Sequence, residues 1–150
     1  MTKFSMAFVA LGLLAAPAFA GGHLGAGDPA AGEEAFSQCQ TCHVVVNDDG
    51  ETLAGRNART GPNLYAVVGR QAGIVDGFRY SNSMVEAGEA GLAWDEETFV
   101  AYVQDPTGFL REYLDNRRAR GNMAYKVRDE ADAVNLYSYI ASLGPEPESN

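Results

Sequence analysis

The segment Cys39-Gln40-Thr41-Cys42-His43 carries the clearest chemistry in the sequence. Two cysteines at positions i and i+3 lie on one side of a helical turn, so both thiols can form thioethers with the two vinyl groups of one porphyrin. The histidine that follows can then present its imidazole to the iron. The pentapeptide therefore predicts one c-type haem per chain, attached covalently through Cys39 and Cys42, with His43 as an axial ligand.

A C-x-x-C pair also occurs in thioredoxin-like redox proteins, where it follows a strand in a βαβ pattern. Here residues 28–38 indicate a helix instead, because Asp28 is a candidate N-cap and Pro29 suits the first helical position. The chain has two cysteines and two histidines, too few for a disulfide framework, a zinc finger or an iron–sulfur cluster. The haem interpretation is therefore favoured.

The first twenty residues have the features of a secretory signal peptide. Lys3 supplies the positive start, an apolar run follows, and Ala18 and Ala20 occupy the two positions that a signal peptidase reads. The apolar run is short for a membrane span, which needs about 20 strongly apolar residues. We expect cleavage after Ala20, which leaves a periplasmic domain of residues 21–150. The alternative is an uncleaved N-terminal membrane anchor.

The second axial ligand must come from elsewhere in the processed chain, and the candidates are His23, Met84 and Met123. His23 lies among glycines near the new N-terminus, a position that would hold a ligand poorly. Met84 precedes a helix-compatible stretch. Gly121 and Asn122 precede Met123 in a segment without apolar periodicity, where a loop can deliver the sulfur to a metal. We therefore predict Met123 as the second ligand.

Short helices and long loops must position these residues. Besides the first helix, the sequence predicts a helix capped by Asp95 and ended by Pro106, and a last helix capped by Asp129 and stopped by Gly144-Pro145. No segment shows convincing strand alternation. Two segments lack an apolar repeat and are predicted as loops, residues 47–61 and 69–83. Loops of this length need a large apolar group to organise them, in agreement with an all-α fold built around a prosthetic group.

The composition indicates a single globular domain. The chain has 150 residues, of which 46% are hydrophobic and 21% charged, as in ordinary folded proteins rather than disordered ones. The net charge of −9 argues against a nucleic acid as partner.

The charge is unevenly distributed. Residues 111–128, which we call the basic segment, carry a net charge of +4, whereas the other residues after Ala20 carry −14. Because the basic segment brackets Met123, its charge should surround the exposed haem edge and steer the protein toward an acidic docking site. Its basic residues are Arg111, Arg117, Arg118, Arg120, Lys126 and Arg128.

The chain resembles class I c-type cytochromes, and more closely the bacterial cytochrome c2 type with enlarged loops. The resemblance covers nearly all of residues 21–150, and its motifs are specific in their order and spacing. Besides the haem motif, the matching residues are Gly32, Phe36, Gly61-Pro62-Asn63-Leu64, Gly69-Arg70, Gly77-Phe78-Arg79-Tyr80-Ser81, Gly91-Leu92-Ala93-Trp94-Asp95-Glu96-Glu97, Tyr102, Asp105-Pro106, Met123, Tyr125, Leu136 and Tyr139.

The resemblance implies a class I cytochrome c fold, with short helices and long loops wrapped around one covalently bound haem. It also implies a monomeric electron carrier rather than an enzyme. The electrons would come from a cytochrome bc1 complex and pass to a photosynthetic reaction centre or a terminal oxidase. The alternative is a haem enzyme or gas-binding protein with an open sixth site, which requires Met123 to be absent from the iron.

The resemblance further implies roles for individual residues around the haem. Pro62 would accept a hydrogen bond from the free ring nitrogen of His43, and Tyr102 would lie near the Met123 sulfur and help to orient it. Three side chains would donate hydrogen bonds to the haem propionates, namely Arg70, Tyr80 and Trp94. Gly32 and Phe36 would pack the first helix against Leu136 and Tyr139 of the last.

The chain departs from the family in one respect. Related proteins often display a ring of lysines around the haem edge, whereas this chain has only Lys126 after processing and uses arginine elsewhere. It also places Glu33 and Glu34 in its first helix. This departure bears on the choice of partner rather than on the redox role.

Overall fold

Residues 25–145 are described by the computed structural model, and within them the chain forms five short helices and one two-stranded sheet. The predicted signal peptide and His23 lie outside the described residues. The elements in chain order are α1 (Pro29–Phe36), β1 (Val45–Val46), β2 (Thr52–Ala54), α2 (Asn82–Glu89), α3 (Glu96–Gln104), α4 (Pro106–Tyr113) and α5 (Glu130–Ser142). None of these helices is long and apolar enough to cross a membrane.

Side-chain caps determine where the helices begin. Each of the five helices starts after an aspartate or serine whose side chain accepts a hydrogen bond from a backbone N–H of the first turn. The predicted caps Asp28, Asp95 and Asp129 are confirmed. The last helix ends at Ser142, and its C-cap Leu143 directly precedes the Gly144-Pro145 pair that was expected to stop it.

Three parts of the secondary structure differ from the prediction. Helix α2 begins at Asn82, inside the segment 69–83 that was expected to be a loop, because the Ser81 side chain caps it by accepting a hydrogen bond from the Met84 N–H. Strands β1 and β2 pair antiparallel with a bulge between Val45 and Val46, although no strand was expected. They are two and three residues long, too short for an alternating pattern to be visible in the sequence. Pro106 does follow the end of α3, but it also opens α4, because proline suits the first helical turn and Asp105 caps that turn.

Helices α1 and α5 make the most extensive contact between helices in the described part of the chain. Gly32 makes this crossing possible, because a Cβ atom placed there would lie 2.1 Å from the Asn135 carbonyl oxygen and 2.6 Å from the Tyr139 Cβ. The rings of Phe36 and Tyr139 pack beside it, with centroids 5.6 Å apart. The packing expected between these two helices is therefore confirmed at Gly32, Phe36 and Tyr139.

Candidate haem site

A cavity of about 340 Å³ lies at the centre of the described residues. Its size is within the range of small-molecule and cofactor sites. Its wall is built from α2, α3 and α5 and from the loops that connect the elements. It brings together all the residues singled out from the sequence for binding a prosthetic group: Cys39, Cys42, His43, Pro62, Arg70, Tyr80, Trp94, Tyr102 and Met123.

The cysteines lie on a hydrogen-bonded turn that follows α1. The backbone N–H groups of Cys42 and His43 both donate to the Cys39 carbonyl, over 3.0 and 2.9 Å. Cys39 is half-buried and Cys42 is exposed. Burial, with the neighbouring Cys42, raises the pKa of the Cys39 thiol to about 11. The turn therefore presents two thiols and one imidazole to the same cavity.

The orientation of His43 is determined by a backbone carbonyl. Its Nδ1 lies 2.9 Å from the Pro62 oxygen. A carbonyl can only accept, so Nδ1 carries the proton and Nε2 keeps the lone pair that a metal requires. Burial lowers the pKa of His43, against the opposing effect of the Pro62 bond. Both the tautomer and the charge state therefore suit a neutral metal-binding imidazole.

Gly61 allows the loop to lie directly against the His43 ring. A Cβ at this position would be 2.5 to 2.8 Å from three ring atoms, too close for any side chain. The Gly61 N–H donates to the Cys42 carbonyl over 2.7 Å, and the Leu64 N–H donates to the Val44 carbonyl over 2.9 Å. The loop is thereby joined to the residues on both sides of His43, and together they form a cradle for its ring.

Asn63 holds this loop in place, a role that the sequence reasoning did not assign. Its side-chain oxygen accepts from the backbone N–H groups of Val46 (2.9 Å) and Tyr65 (3.1 Å), and its Nδ2 donates to the Val46 carbonyl (2.7 Å). The sequence signal that could have identified it is an asparagine directly after a proline in a loop, where Asn side chains often bond to nearby backbone.

Arg70, Tyr80 and Trp94 form the polar part of the cavity wall. The Arg70 guanidinium donates to the carbonyls of Tyr65 (2.6 Å) and Asn63 (3.1 Å). Burial lowers the pKa of Arg70, and the nearby Tyr80 opposes this shift. Burial raises the pKa of Tyr80, and Arg70 opposes it. A cation and a neutral hydroxyl, both half-buried, are thus held near each other, an arrangement suited to a carboxylate entering the cavity.

Trp94 is joined to Arg70 through the backbone. Its N–H donates to the Arg70 carbonyl over 3.0 Å, and its carbonyl accepts from Gly69 over 2.7 Å. Tyr102 packs on the indole with ring centroids 5.1 Å apart. Burial, with the nearby Tyr80, raises the pKa of Tyr102 to about 12, so its hydroxyl is protonated at physiological pH.

Both methionines considered as iron ligands line the cavity, but they differ in their surroundings. Met84 lies within α2 and is buried in the hydrophobic core, with 6% of its surface exposed. Met123 lies in the segment between α4 and α5, residues 114–129, which we call the Met123 loop. It is half-buried and packs against the edge of the core. Met123 therefore contributes less than Met84 to the packing of the hydrophobic core.

Contacts on both sides of Met123 hold its loop. Before it, the Gly121 N–H donates to Thr107 Oγ1 and Asn122 Nδ2 donates to the Arg79 carbonyl, both over 3.4 Å. After it, the Val127 N–H donates to the Val103 carbonyl over 2.9 Å. The sulfur is thus delivered to the cavity by irregular backbone bonded to three other segments.

The residues around the cavity fit a c-type haem. Two thiols can tether a porphyrin, an imidazole and a thioether can ligate iron, and a guanidinium with a tyrosine can receive propionates. The close approach of Gly61 to the His43 ring supports the same assignment, because any side chain at position 61 would collide with the imidazole.

No family model matches the chain. The chain is 66% identical over 122 residues to cytochrome c2 of Rhodovulum adriaticum, which covers 81% of this chain and 97% of that protein. It is 58% identical over 122 residues to a cytochrome c2 of Cereibacter sphaeroides, covering 81% of this chain and 98% of that protein. The X-ray structure of cytochrome c2 from Rhodobacter sphaeroides is similar, with a TM-score of 0.78 and 58% identity, over 81% of this chain and 99% of that one.

Proposed function

Because the chain belongs to the cytochrome c2 family and has its class I cytochrome c fold, we propose that it is an exported electron carrier with one covalent haem c. Cys39 and Cys42 would form the thioethers, and His43 and Met123 would be the axial ligands. The observation that carries this proposal is the single cavity that both cysteines, the Pro62-bound His43 and Met123 line together.

When bound, a c-type haem supplies an iron that exchanges one electron between its ferrous and ferric states. His43 and Met123 are the residues of this chain that would hold that iron. The Pro62 carbonyl holds the proton on Nδ1 of His43 and so keeps Nε2 available as a ligand. A thioether from Met123 favours a raised reduction potential. Two protein ligands leave no position for a substrate, in keeping with a family of electron-transfer proteins rather than enzymes.

The polar wall would bind the haem propionates. Arg70, Tyr80 and Trp94 are the donors that we assign to this role, because an unpaired carboxylate in an apolar cavity is costly. The protonated hydroxyl of the half-buried Tyr102 is available on the same wall, and we assign it to the orientation of Met123.

We place the mature domain, residues 21–150, in the periplasm. The support is the sequence of residues 1–20, with its positive start, its apolar run and its small residues at positions 18 and 20. Mass spectrometry of the protein purified from its host tests both processing and haem attachment. A mass equal to residues 21–150 plus one haem would support the proposal. A mass that includes residues 1–20 would indicate the anchored alternative, and a mass without haem would contradict the account.

The partners that we propose are a cytochrome bc1 complex as electron donor and a photosynthetic reaction centre or terminal oxidase as acceptor. The basic segment would dock on an acidic surface of each. All six of its basic residues are exposed. Arg111 and Lys126 also make contacts within the protein, since Arg111 Nε donates to the Ala119 carbonyl (3.2 Å) and Lys126 Nζ pairs with Asp105 Oδ1 (2.7 Å).

Ionic strength tests this docking surface. We expect electron transfer to an acidic partner to slow as salt rises, because screening weakens electrostatic steering. Replacing Arg117 and Arg118 by glutamine should reduce both the rate and its dependence on salt. The matched control replaces Arg56 and Arg59, which are also exposed but lie outside the basic segment. Equal effects of the two pairs, or a rate independent of salt, would contradict the proposed surface.

Carbon monoxide distinguishes the electron carrier from the alternative with an open sixth site. A reduced protein whose iron is held by His43 and Met123 should bind this ligand slowly, since the sulfur must leave first. Rapid binding to the untreated reduced protein would favour a haem enzyme or gas-binding protein.

A further inference from the structure

Tyr125 and Gln38 form a hydrogen bond between two segments that each hold the proposed haem. The Tyr125 hydroxyl donates to the Gln38 side-chain oxygen. Gln38 directly precedes Cys39, and Tyr125 follows Met123 by two residues. All four residues line the cavity, so this hydrogen bond spans its rim.

The other polar contacts of the Met123 loop lead to different elements. Arg120 N–H donates to Ser83 Oγ of α2 over 3.1 Å, and Lys126 Nζ pairs with Asp105 at the start of α4. Among the hydrogen bonds between described residues, the one from Tyr125 is the side-chain bond that joins this loop to the cysteine turn. It therefore connects the loop carrying a coordinated ligand to a segment that would be covalently tethered.

We propose that the Tyr125–Gln38 hydrogen bond is a latch that limits opening of the Met123 loop and so keeps the sulfur on the iron. Tyr125 and Gln38 are positioning residues, since they act through Met123. The inference rests on the proposed ligation by Met123 and adds a specific control over its release. Because the loop carries the Met123 sulfur, movement of the loop away from the cysteine turn would withdraw the sulfur and break the latch.

The Tyr125→Phe variant removes one hydroxyl and keeps the ring. In the ferric holoprotein, added imidazole replaces the methionine sulfur, and at saturating imidazole the opening of the loop limits the rate. We expect this limiting rate to rise about two- to tenfold, the effect of one net hydrogen bond. Gln38→Ala should give a similar rise. The double variant should add little to either, because the two changes remove the same interaction.

Tyr113→Phe is the matched control. Tyr113 is a tyrosine of similar exposure, 39% against 43% for Tyr125, and it stacks on Phe109 with ring centroids 5.8 Å apart, away from the cysteine turn. We expect its limiting rate to equal that of the unmodified protein. The limiting rates are measured without denaturant, where every variant is fully folded. Differences in global stability therefore do not affect them.

Two results would overturn the latch. One is a Tyr125→Phe rate equal to that of Tyr113→Phe, and the other is effects of Tyr125→Phe and Gln38→Ala that simply add. The absorption band of ferric iron bound to methionine would still be present in either case. Failure of the latch can therefore be distinguished from failure of the proposed function. If Met123 is not the ligand, the band is either absent from the unmodified protein or survives Met123→Ala.

Discussion

The crossing of α1 with α5 and the Met123 loop are stabilised in opposite ways. At the crossing, the backbone of Gly32 lies against the backbone of Asn135, with no room for an added methyl group. In the Met123 loop, separate polar contacts link residues 120–127 to three helices and to the cysteine turn. A packed crossing holds one geometry, whereas a loop held by separate bonds can release its ligand without unfolding the protein.

The largest expected effect is on the crossing. We expect Gly32→Ala to lower the free energy of unfolding by about 3 kcal/mol, because the new methyl must push α1 away from α5. Denaturant unfolding of the holoprotein measures this change. The matched change in the loop is Gly121→Ala, whose Cβ would have its nearest neighbours at ordinary contact distances, Leu110 Cδ1 at 3.4 Å and Pro106 at 3.8 Å. Its effect should remain below about 1 kcal/mol. Equal losses of unfolding free energy in the Gly32→Ala and Gly121→Ala variants would contradict the proposed difference between the two regions.

A smaller effect is expected for the loop that supports His43. Asn63→Ala removes three hydrogen bonds to backbone groups, and we expect a loss of about 2 kcal/mol. Asn57→Ala, at an exposed asparagine of the preceding loop, is the control and should change stability little. Denaturant unfolding again gives the comparison. An Asn63 variant as stable as the Asn57 variant would show that this loop, like the crossing, is held by packing.

The smallest effects concern two exposed aspartates. The Lys126 ammonium and the Gly108 N–H lower the pKa of Asp105 below its usual 3.8, and the Thr98 N–H and hydroxyl lower the pKa of Asp95. A lowered pKa in the folded state means that the stabilisation is present above the ordinary pKa and is lost as pH falls through the folded one. At neutral pH, we expect Asp105→Asn and Asp95→Asn each to cost less than about 1 kcal/mol. Both losses should disappear in strong acid.

The stability losses from replacing these two aspartates should depend differently on salt concentration. The loss from Asp105→Asn should shrink as salt is added, because its ion pair with Lys126 is exposed and screened. The loss from Asp95→Asn should persist, since its partners on Thr98 are neutral hydrogen-bond donors. Thermal unfolding at low and high salt measures both. An Asp105 effect that is independent of salt would mean that the ion pair does not anchor the Met123 loop.

Local chemistry made much of the fold predictable. Asp28, Asp95 and Asp129 are helix caps that can be recognised without tertiary structure, and apolar spacing marks α5. The small sheet was missed, because strands of two and three residues are too short to show an alternating pattern. Helix α4 was missed because Pro106 both follows one helix and opens the next.

The candidate site was predictable as a set of residues but not as a geometry. The spacing of Cys39, Cys42 and His43 indicates haem attachment, and the resemblance to class I cytochromes supplied the other members of the set. The bond from Tyr125 to Gln38 joins residues 87 positions apart, and no local pattern marks such a contact. The support from Asn63 depends likewise on where β1 lies once the chain has folded.

The absorption band that methionine sulfur gives with ferric haem iron is the most direct test of the proposed ligation. The oxidised holoprotein should show this weak charge-transfer band. We predict that Met123→Ala abolishes it, whereas Met84→Ala leaves it in place and lowers stability as a buried core substitution does. A band that survives Met123→Ala, or disappears in Met84→Ala, would contradict the account.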